Sequence, residues 1–329
     1  IIMLETVFAI ALCVFGLVMI TKGSDWATDS LVPVARKLKT TYIAVGILLV
    51  SMMVSLPEII VAIYTAVRGH LEISLGVIIG SVICNIGLMT GLSAMIHPLK
   101  VTRTLILRDG IFAACISIMV LILSIDLEIT RAEGAAFILI FIPYVINVLL
   151  LEKAERKPEL EKELKEVELE LRFMGWHFGK MKSGLLSFFL GILVLLIGSY
   201  FFSEALIIIA KLSGLSDLFI GLTIGAIGPS IPNIASAIQG TLKNIGGIAV
   251  SETLGSDIFT LLVTLGILSM IHPIKIASRW LRFDIPVMVL LSLCMLFFMM
   301  YKNKVTRIEG SILFFGYILV LLVNMITLT

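Results

Sequence analysis

The feature that most constrains the fold is a set of ten stretches, each with about 20 mostly apolar residues, the length a helix needs to cross a bilayer. Hydrophobic residues make up 59% of the chain and charged residues 15%, whereas a soluble domain carries roughly 25% charged residues. The sequence therefore predicts an all-α polytopic membrane protein with ten transmembrane helices. The predicted spans are 3–20, 43–67, 73–96, 106–124, 132–151, 184–202, 217–241, 247–271, 284–301 and 308–328.

Charge and cysteine usage exclude several other classes of protein. The formal net charge is only +2, so the chain lacks the clustered basic surface that binds nucleic acid. The four cysteines lie in apolar runs without CxxC spacing, which argues against a disulfide framework or a zinc site. The first apolar run lacks a basic leader and a small-residue cleavage site, so we expect a span and not a signal peptide. Membrane lipid and transported ions are the expected partners, and nothing in the sequence indicates a protein partner.

Positive charge predicts the orientation of these spans. Residues 152–182 form a charged linker with eight Glu and eight Lys or Arg residues. Of the 25 Lys and Arg residues, 19 fall in the loops on the linker side of the ten-span plan and six on the other side. Because positive charge marks the cytoplasmic face, the linker is expected in the cytoplasm and both termini outside. The expected location is the plasma membrane of a prokaryote.

The chain also repeats itself at a fixed offset of 175 residues, over roughly 23–109 against 198–284. Matching segments include SLPE at 55–58 with SIPN at 230–233, and MIHPLK at 95–100 with MIHPIK at 270–275. Chance apolar similarity would not keep one offset through prolines, histidines and lysines. The repeat divides the chain into 1–151, the linker 152–182, and 183–329. Each repeat holds five spans, an odd number, so the second is predicted to enter the membrane inverted.

Inverted repeats whose helices are interrupted by Gly or Pro at matching positions are typical of secondary transporters, which bind substrate at the midplane. The interruptions fall at 55–57 and 230–232 in the second and seventh spans, and at 80–81 and 255–256 in the third and eighth. The sequence has no Walker A motif and no kinase-like loop. We therefore expect a transporter that is neither an enzyme nor a primary pump, and that holds no resident cofactor.

The first candidate for the transport site is Glu58, near the centre of the second span. A buried ionisable group costs about 2.5–3.5 kcal/mol on insertion scales, so each one is a functional candidate. Pro57 removes a backbone donor, which is expected to free carbonyl groups near Met53, Val54 and Ser55 for a cation. A carboxylate beside free carbonyls is an all-oxygen site, which suits a hard cation such as Ca²⁺.

The second repeat offers a different carboxylate. Its counterpart of Glu58 is the neutral Asn233, whereas Glu252 replaces Val77 of the first repeat. Helical spacing puts Glu252, Ser256 and Thr260 on one face, which matches the face of Val77, Ser81 and Asn85 in the third span. Together with Glu58 and Asn233 these faces would close a ring of oxygens, to which Ser55 and Ser230 add hydroxyl groups. Second-rank candidates are Asp257, Val54 and Pro229.

Segments 43–96 and 218–271 resemble the two alpha repeats of the cation/Ca²⁺ antiporter superfamily, which includes sodium/calcium and proton/calcium exchangers. The resemblance rests on SLPE at 55–58, GS at 80–81 and CNIG at 84–87, and on GPSIPN at 228–233 with GSDI at 255–258. It implies that Ca²⁺ is the transported substrate. It also implies four central ligands and four flanking small polar residues. The central ligands would be Glu58, Asn85, Asn233 and Thr260, and the flanking residues Ser55, Ser81, Ser230 and Ser256.

The chain departs from the exchanger pattern at Asn233 and Thr260, where the resemblance leads us to expect carboxylates. The site charge then falls to about two, from Glu58 and Glu252, and either one Ca²⁺ or two protons would neutralise it. This favours proton/calcium exchange, with sodium/calcium exchange as the alternative. A passive cation channel is disfavoured because channels usually build rings from identical subunits. A non-transporting sensor is a further alternative, suggested by the lost carboxylates.

Overall fold

The computed structural model describes residues 2–37, 55–154, 185–242 and 247–328, and most of these residues are helical. Helices suit the apolar stretches because a helix satisfies its own backbone polar groups where water is absent. The helices of the first half are α1 (Ile2–Lys37), α2 (Leu56–Val67), α3 (Leu71–Ile96), α4 (Arg103–Leu123) and α5 (Arg131–Ala154). Those of the second half are α6 (Leu185–Ser213), α7 (Asp217–Leu242), α8 (Gly247–Phe259, continued by 260–271), α9 (Trp280–Lys302) and α10 (Arg307–Leu328).

Within the described ranges, nine helices are long and apolar enough to cross a membrane, and α2 is a shorter apolar helix. A polytopic helical membrane architecture is thereby confirmed. Residues 43–54 of the second predicted span, and nearly all of the predicted linker, lie outside the described residues. The count of ten spans therefore stays a prediction. Helix α1 extends well beyond the predicted first span, because Ala27, Leu31 and Val34 continue an apolar period at helical spacing.

Two central helices, α3 and α8, change from α to π hydrogen bonding at matching positions. The π turns cover Asn85–Thr90 in α3 and Thr260–Thr264 in α8, and their first residues are 175 positions apart. The interruptions predicted at 80–81 and 255–256 are wrong, since both pairs lie in regular α-helix. The irregularity comes one turn later, at the two polar residues that begin the π turns. Single π turns inside α-helices often lie at functional sites.

The two proline motifs are placed differently in α2 and α7. In the first repeat, helix α2 begins at the motif, with Pro57 in its first turn. In the second repeat, α-helix runs from Ala226 to Leu242 through Pro229 and Pro232, so the interruption predicted at 230–232 is not seen. A π turn over Gly221–Gly225 ends four residues before Pro229. In a regular α-helix the ring of Pro229 would clash with the carbonyl group of Gly225, and the wider π turn offers room for it.

Four short strands connect the two halves of the chain. They are β1 (Leu99–Lys100), β2 (Glu128–Ile129), β3 (Ile274–Lys275) and β4 (Lys304–Val305). Strand β1 pairs with β4 and β2 pairs with β3, both antiparallel. Each strand therefore pairs with a strand from the other repeat.

Paired glycines hold α1 against α6. A Cβ atom added at Gly16 would lie 2.9 Å from the carbonyl oxygen of Gly198, and one at Gly23 would lie 2.7 Å from that of Gly191. Neither position has room for a side chain, so the two backbones approach as closely as small residues allow. The same offset of 175 relates Gly16 to Gly191 and Gly23 to Gly198, and the two contacts are therefore repeat-related.

Burial separates central helices from peripheral ones. In the most apolar stretch of α3, 94% of the residues are buried, against 22% in α1 and 17% in α5. Large apolar side chains such as Phe8 and Phe15 on α1 are exposed, as lipid-facing residues are. Helix α3 therefore runs through the middle of the molecule, where it contacts α2, α7 and α8.

Candidate cation site

The site begins at the turn that starts α2. Ser55 is the N-cap residue, and the side chain of Glu58, in the first turn, is 0% exposed. Ser230 of α7 donates a hydrogen bond of 3.1 Å from Oγ to Oε1 of Glu58. The carbonyl oxygen of Ser55 accepts a hydrogen bond of 3.3 Å from the backbone N–H of Ile59, so it is not freed as predicted. Met53 and Val54, whose carbonyl groups the sequence also predicts to be free, lie outside the described residues.

Helices α2, α3 and α8 meet through three polar side chains. The hydroxyl groups of Ser55 and Ser256 are 3.0 Å apart and share a hydrogen bond. Asn85, the first residue of the π turn in α3, donates from Nδ2 to Oγ of Ser256 at 3.3 Å. All three side chains are at most 1% exposed. The predicted site residues of both repeats thus converge around Ser256.

Asp257 also belongs to this cluster. Its Oδ1 accepts a hydrogen bond of 3.0 Å from Nδ2 of Asn85, and its side chain is 2% exposed. Glu58 stands three residues after Ser55, whose hydroxyl group contacts Ser256, the residue before Asp257. Asp257 is only a second-rank candidate ligand by sequence, because the predicted ligand face of α8 is centred on Glu252, Ser256 and Thr260. The face of α8 that meets α3 carries Thr253 and Asp257 as well, and its centre lies about 50° further round the helix.

Four oxygen atoms here are buried and have no hydrogen-bond partner among the described residues. They are Oε2 of Glu58, Oδ1 of Asn85, Oδ1 of Asn233 and Oγ1 of Thr260. Asn233 lies one turn after Ser230, and Thr260 lies one turn after Ser256, so both belong to the same group. Hydroxyl groups such as those of Ser74 and Ser93 are also buried without a partner. Those are single hydroxyl groups, whereas the site brings together carboxylate, amide and hydroxyl oxygens.

We call these eight residues the central cluster: Ser55, Glu58, Asn85, Ser230, Asn233, Ser256, Asp257 and Thr260. An unsatisfied buried polar group costs about 1–3 kcal/mol, so four such oxygens make the cluster a candidate cation site, although Nδ2 of Asn233 is likewise without a partner among the described residues. Carboxylate, amide and hydroxyl oxygens are the ligands of hard cations. Within the described part of the chain, no group of three or more His, Cys, Asp and Glu residues could hold a metal ion. The cluster therefore relies on neutral oxygens beside its carboxylates.

Three predicted residues lie near the cluster without a described hydrogen bond to it. Ser81 donates from Oγ to the carbonyl oxygens of Val77 at 2.7 Å and Ile78 at 3.1 Å, both in its own helix. Glu252 is 6% exposed and lies one turn before Ser256, and the hydrogen bonds that join Ser55, Asn85, Ser256 and Asp257 do not involve it. Pro229 is buried beside Ser230.

One polar contact next to the cluster was not predicted. The hydroxyl groups of Thr90 and Thr253 are 2.6 Å apart, and Thr253 also donates to the backbone carbonyl of Asn85 at 3.4 Å. The signal was present in the sequence, because Thr253 is three residues before Ser256 and seven before Thr260. These positions lie on one helix face.

Comparison with known proteins identifies the family. The family described as "Sodium/calcium exchanger protein" matches residues 8–150 and 183–326. This chain belongs to the sodium/calcium exchanger family. The resemblance to cation/Ca²⁺ antiporters is thereby confirmed, and the family is one of transporters. The two matched segments correspond to the two predicted repeats, with the charged linker between them.

Three members of the exchanger family are similar to this chain over nearly its whole length. "Sodium/calcium exchanger MaX1" of Methanosarcina acetivorans is 27% identical, with 94% of this chain and 96% of that protein covered. "Putative antiporter CaxA" of Alkalimonas amylolytica is 31% identical, with coverage of 92% and 94%. The solved structure of the sodium-calcium exchanger NCX_Mj soaked with 10 mM Na⁺ and zero Ca²⁺ has a TM-score of 0.67 and 26% identity. It covers 98% of this chain and 100% of that one.

Proposed function

We propose that this protein is a secondary antiporter that exports Ca²⁺ in exchange for protons. The observation that carries the proposal is the set of four buried oxygens, on Glu58, Asn85, Asn233 and Thr260, that have no hydrogen-bond partner in the described part of the chain. These are the four positions at which the family resemblance implies the central ligands. The flanking hydroxyl groups of Ser55, Ser81, Ser230 and Ser256 complete the proposed ligand set, with Glu252 or Asp257 as the second carboxylate.

Alternating access between two inverted repeats is part of the proposal. The strand pairing supports the inversion, because β1 precedes α4 and β2 follows it. Helix α4 is about 31 Å long, so the β1–β4 and β2–β3 pairs lie at opposite ends of it. Strands β1 and β3 are repeat-related, and they belong to different pairs. The repeat-related contacts Gly16–Gly198 and Gly23–Gly191 between α1 and α6 fit the same two-fold arrangement.

The proposal also names the ion that is exchanged for Ca²⁺. Two carboxylates in a site otherwise lined by neutral oxygens would be neutralised by one Ca²⁺ or two protons, which supports proton coupling. Sodium is the second candidate, because MaX1 and NCX_Mj carry the name sodium/calcium exchanger. Serine, threonine and asparagine oxygens also suit Na⁺. We propose further that the chain lies in a prokaryotic plasma membrane with both termini outside.

The test is ⁴⁵Ca²⁺ uptake into liposomes that contain the purified full-length protein, with pH and Na⁺ gradients imposed separately. Uptake driven by the pH gradient alone is the expected result. Uptake driven only by Na⁺ would assign sodium coupling, and uptake without any opposing gradient would indicate a channel. Orientation has its own test, because a cysteine introduced within 155–170 should react only with a reagent applied from the cytoplasmic side.

A further inference from the structure

The central cluster contains a carboxylate that neither the repeat nor the ligand positions implied by the family resemblance account for. Asp257 stands where the first repeat has Val82, a residue that is 0% exposed and packed in the apolar core. The neighbouring positions Ser256 and Ser81 are matched. The second repeat therefore has a carboxylate where the first has an apolar side chain. This position is not among the ligand positions that the family resemblance implies.

Asp257 controls the orientation of Asn85. The amide nitrogen of Asn85 has two hydrogens, and its two described acceptors are Oδ1 of Asp257 at 3.0 Å and Oγ of Ser256 at 3.3 Å. Both acceptors belong to α8. With the nitrogen held there, the amide oxygen is turned to the other side, where it is buried and has no partner among the described residues. The reversed amide would place its oxygen against the Asp257 carboxylate, which is repulsive.

Asp257 also supplies charge at the place where the repeat has lost it. Its carboxyl group accepts a hydrogen bond from the amide of Asn85, and Glu58 belongs to the same cluster, three residues after the Ser55 hydroxyl group that contacts Ser256. Glu58 in turn accepts a hydrogen bond from Ser230, and its Oε2 has no hydrogen-bond partner in the ranges that the structure describes. The central cluster therefore contains two carboxyl groups, one from each repeat. Two negative charges beside neutral oxygens favour a divalent over a monovalent cation, because the attraction scales with the product of the charges.

We propose that Asp257 is a specificity-determining residue of the cation site: it orients the Asn85 amide oxygen towards the cation and supplies the second negative charge that selects a divalent ion. This inference rests on the proposed function. It assigns to Asp257 the role that the sequence analysis gave to Glu252. Its consequence is that binding of Ca²⁺, more than the rate of transport, depends on Asp257.

The decisive variant is Asp257→Asn, which keeps the shape of the side chain and removes its charge. Its matched control lies elsewhere in the molecule. Asp284 is 0% exposed and accepts a hydrogen bond from Nδ2 of Asn324 at the same distance, 3.0 Å. Asp284→Asn therefore makes the same chemical change outside the central cluster, with an asparagine amide as one partner and Arg279, 3.9 Å away, as a further one. Both variants are reconstituted as full-length protein, and ⁴⁵Ca²⁺ uptake is measured against Ca²⁺ concentration.

Asp257→Asn is expected to raise the Ca²⁺ concentration for half-maximal uptake about tenfold or more, with a smaller change in maximal rate. Asp284→Asn should leave that concentration unchanged, and Asp257→Glu should recover much of the affinity. An unchanged half-saturating concentration in Asp257→Asn would overturn the inference while the proposed function stands. No gradient-driven uptake by the unsubstituted protein would instead contradict the proposed function.

A second variant keeps the test decisive if Asp257→Asn does not elute as a single species. Asn85→Ala removes the amide that Asp257 orients, and it should weaken Ca²⁺ affinity in the same direction. In the double variant with Asp257→Ala, the two losses should be less than additive, because each removes the same oriented oxygen. Full additivity, or unchanged affinity in Asn85→Ala, would show that Asp257 does not act through Asn85.

Discussion

The two halves of the central cluster have matching polar positions, but their carboxylates stand at different ones. In the first repeat, α2 contributes Glu58 and α3 contributes Asn85, and in the second the corresponding residues are Asn233 and Thr260. The first repeat has Val82 where the second has Asp257. Each half thus carries one carboxylate, but at a different position on a different helix. The repeat keeps polar, oxygen-bearing residues at matched positions. The carboxylates, in contrast, occupy positions that are not matched: Glu58 on α2 and Asp257 on α8.

The largest difference in Ca²⁺ uptake is expected between variants of the two residues that follow the matched prolines, Glu58 and Asn233. Glu58→Gln removes a buried carboxylate, one of whose oxygens has no hydrogen-bond partner among the described residues, and we expect Ca²⁺ uptake to fall about 100-fold or more. Asn233→Ala removes only neutral ligands and should cost about tenfold. Uptake assays on the two reconstituted variants, side by side, check this order. Equal losses would mean that charge at Glu58 has no special role.

The halves should respond equally where they are structurally alike. A Cβ atom at Gly16 would lie 2.6 Å from the backbone nitrogen of Phe202, and one at the repeat-matched Gly191 would lie 2.5 Å from that of Ala27. Alanine at either position forces α1 and α6 apart, and each should destabilise the protein by about 3 kcal/mol. Thermal unfolding in detergent measures both. Gly316→Ala is the control, since its Cβ atom would meet only Leu291 at 3.5 Å.

Much of this symmetry could be predicted from sequence, because a fixed offset through glycines, prolines and charged residues needs no structure to be seen. The same offset located Glu58, Asn85, Asn233 and Thr260. The offset could not locate Asp257, because a residue with an apolar counterpart gives no repeat signal. Its contact with Asn85 depends on how far α8 is rotated about its axis, and spacing along one helix does not fix that rotation. The second proline motif and the two glycine motifs also misled, because the nearby irregularity is a π turn at 221–225, 85–90 and 260–264.

Moving the charge back to its repeat-matched position sharpens the comparison of carboxylates. If Asp257 acts through its charge, then Asn233→Glu in the Asp257→Asn background should restore about tenfold of the lost Ca²⁺ affinity. Asn233→Gln in the same background has a similar size and no charge, so it should restore nothing. The measurement is again the half-saturating Ca²⁺ concentration in liposomes. Rescue by both substitutions would attribute the effect to packing.

The smallest expected effect concerns the polar contact beside the cluster. Thr253 and Thr90 share a hydrogen bond of 2.6 Å, whereas their repeat counterparts, Ile78 and Leu265, are apolar and 0% exposed. Thr253→Ile makes the second repeat resemble the first. It removes a net hydrogen bond worth about 1 kcal/mol, so the maximal rate of Ca²⁺ uptake should change by about threefold to fivefold, with affinity preserved.

The reciprocal substitution, Ile78→Thr, supplies the control for Thr253. It adds a hydroxyl group on the matched face of α3, where no polar partner for it is seen among the described residues, so it should not accelerate uptake. A loss of affinity in Thr253→Ile as large as that in Asp257→Asn would place Thr253 inside the binding site. An effect on rate alone would instead show that the two halves differ in how their helices move during transport, in addition to the position of their carboxylates.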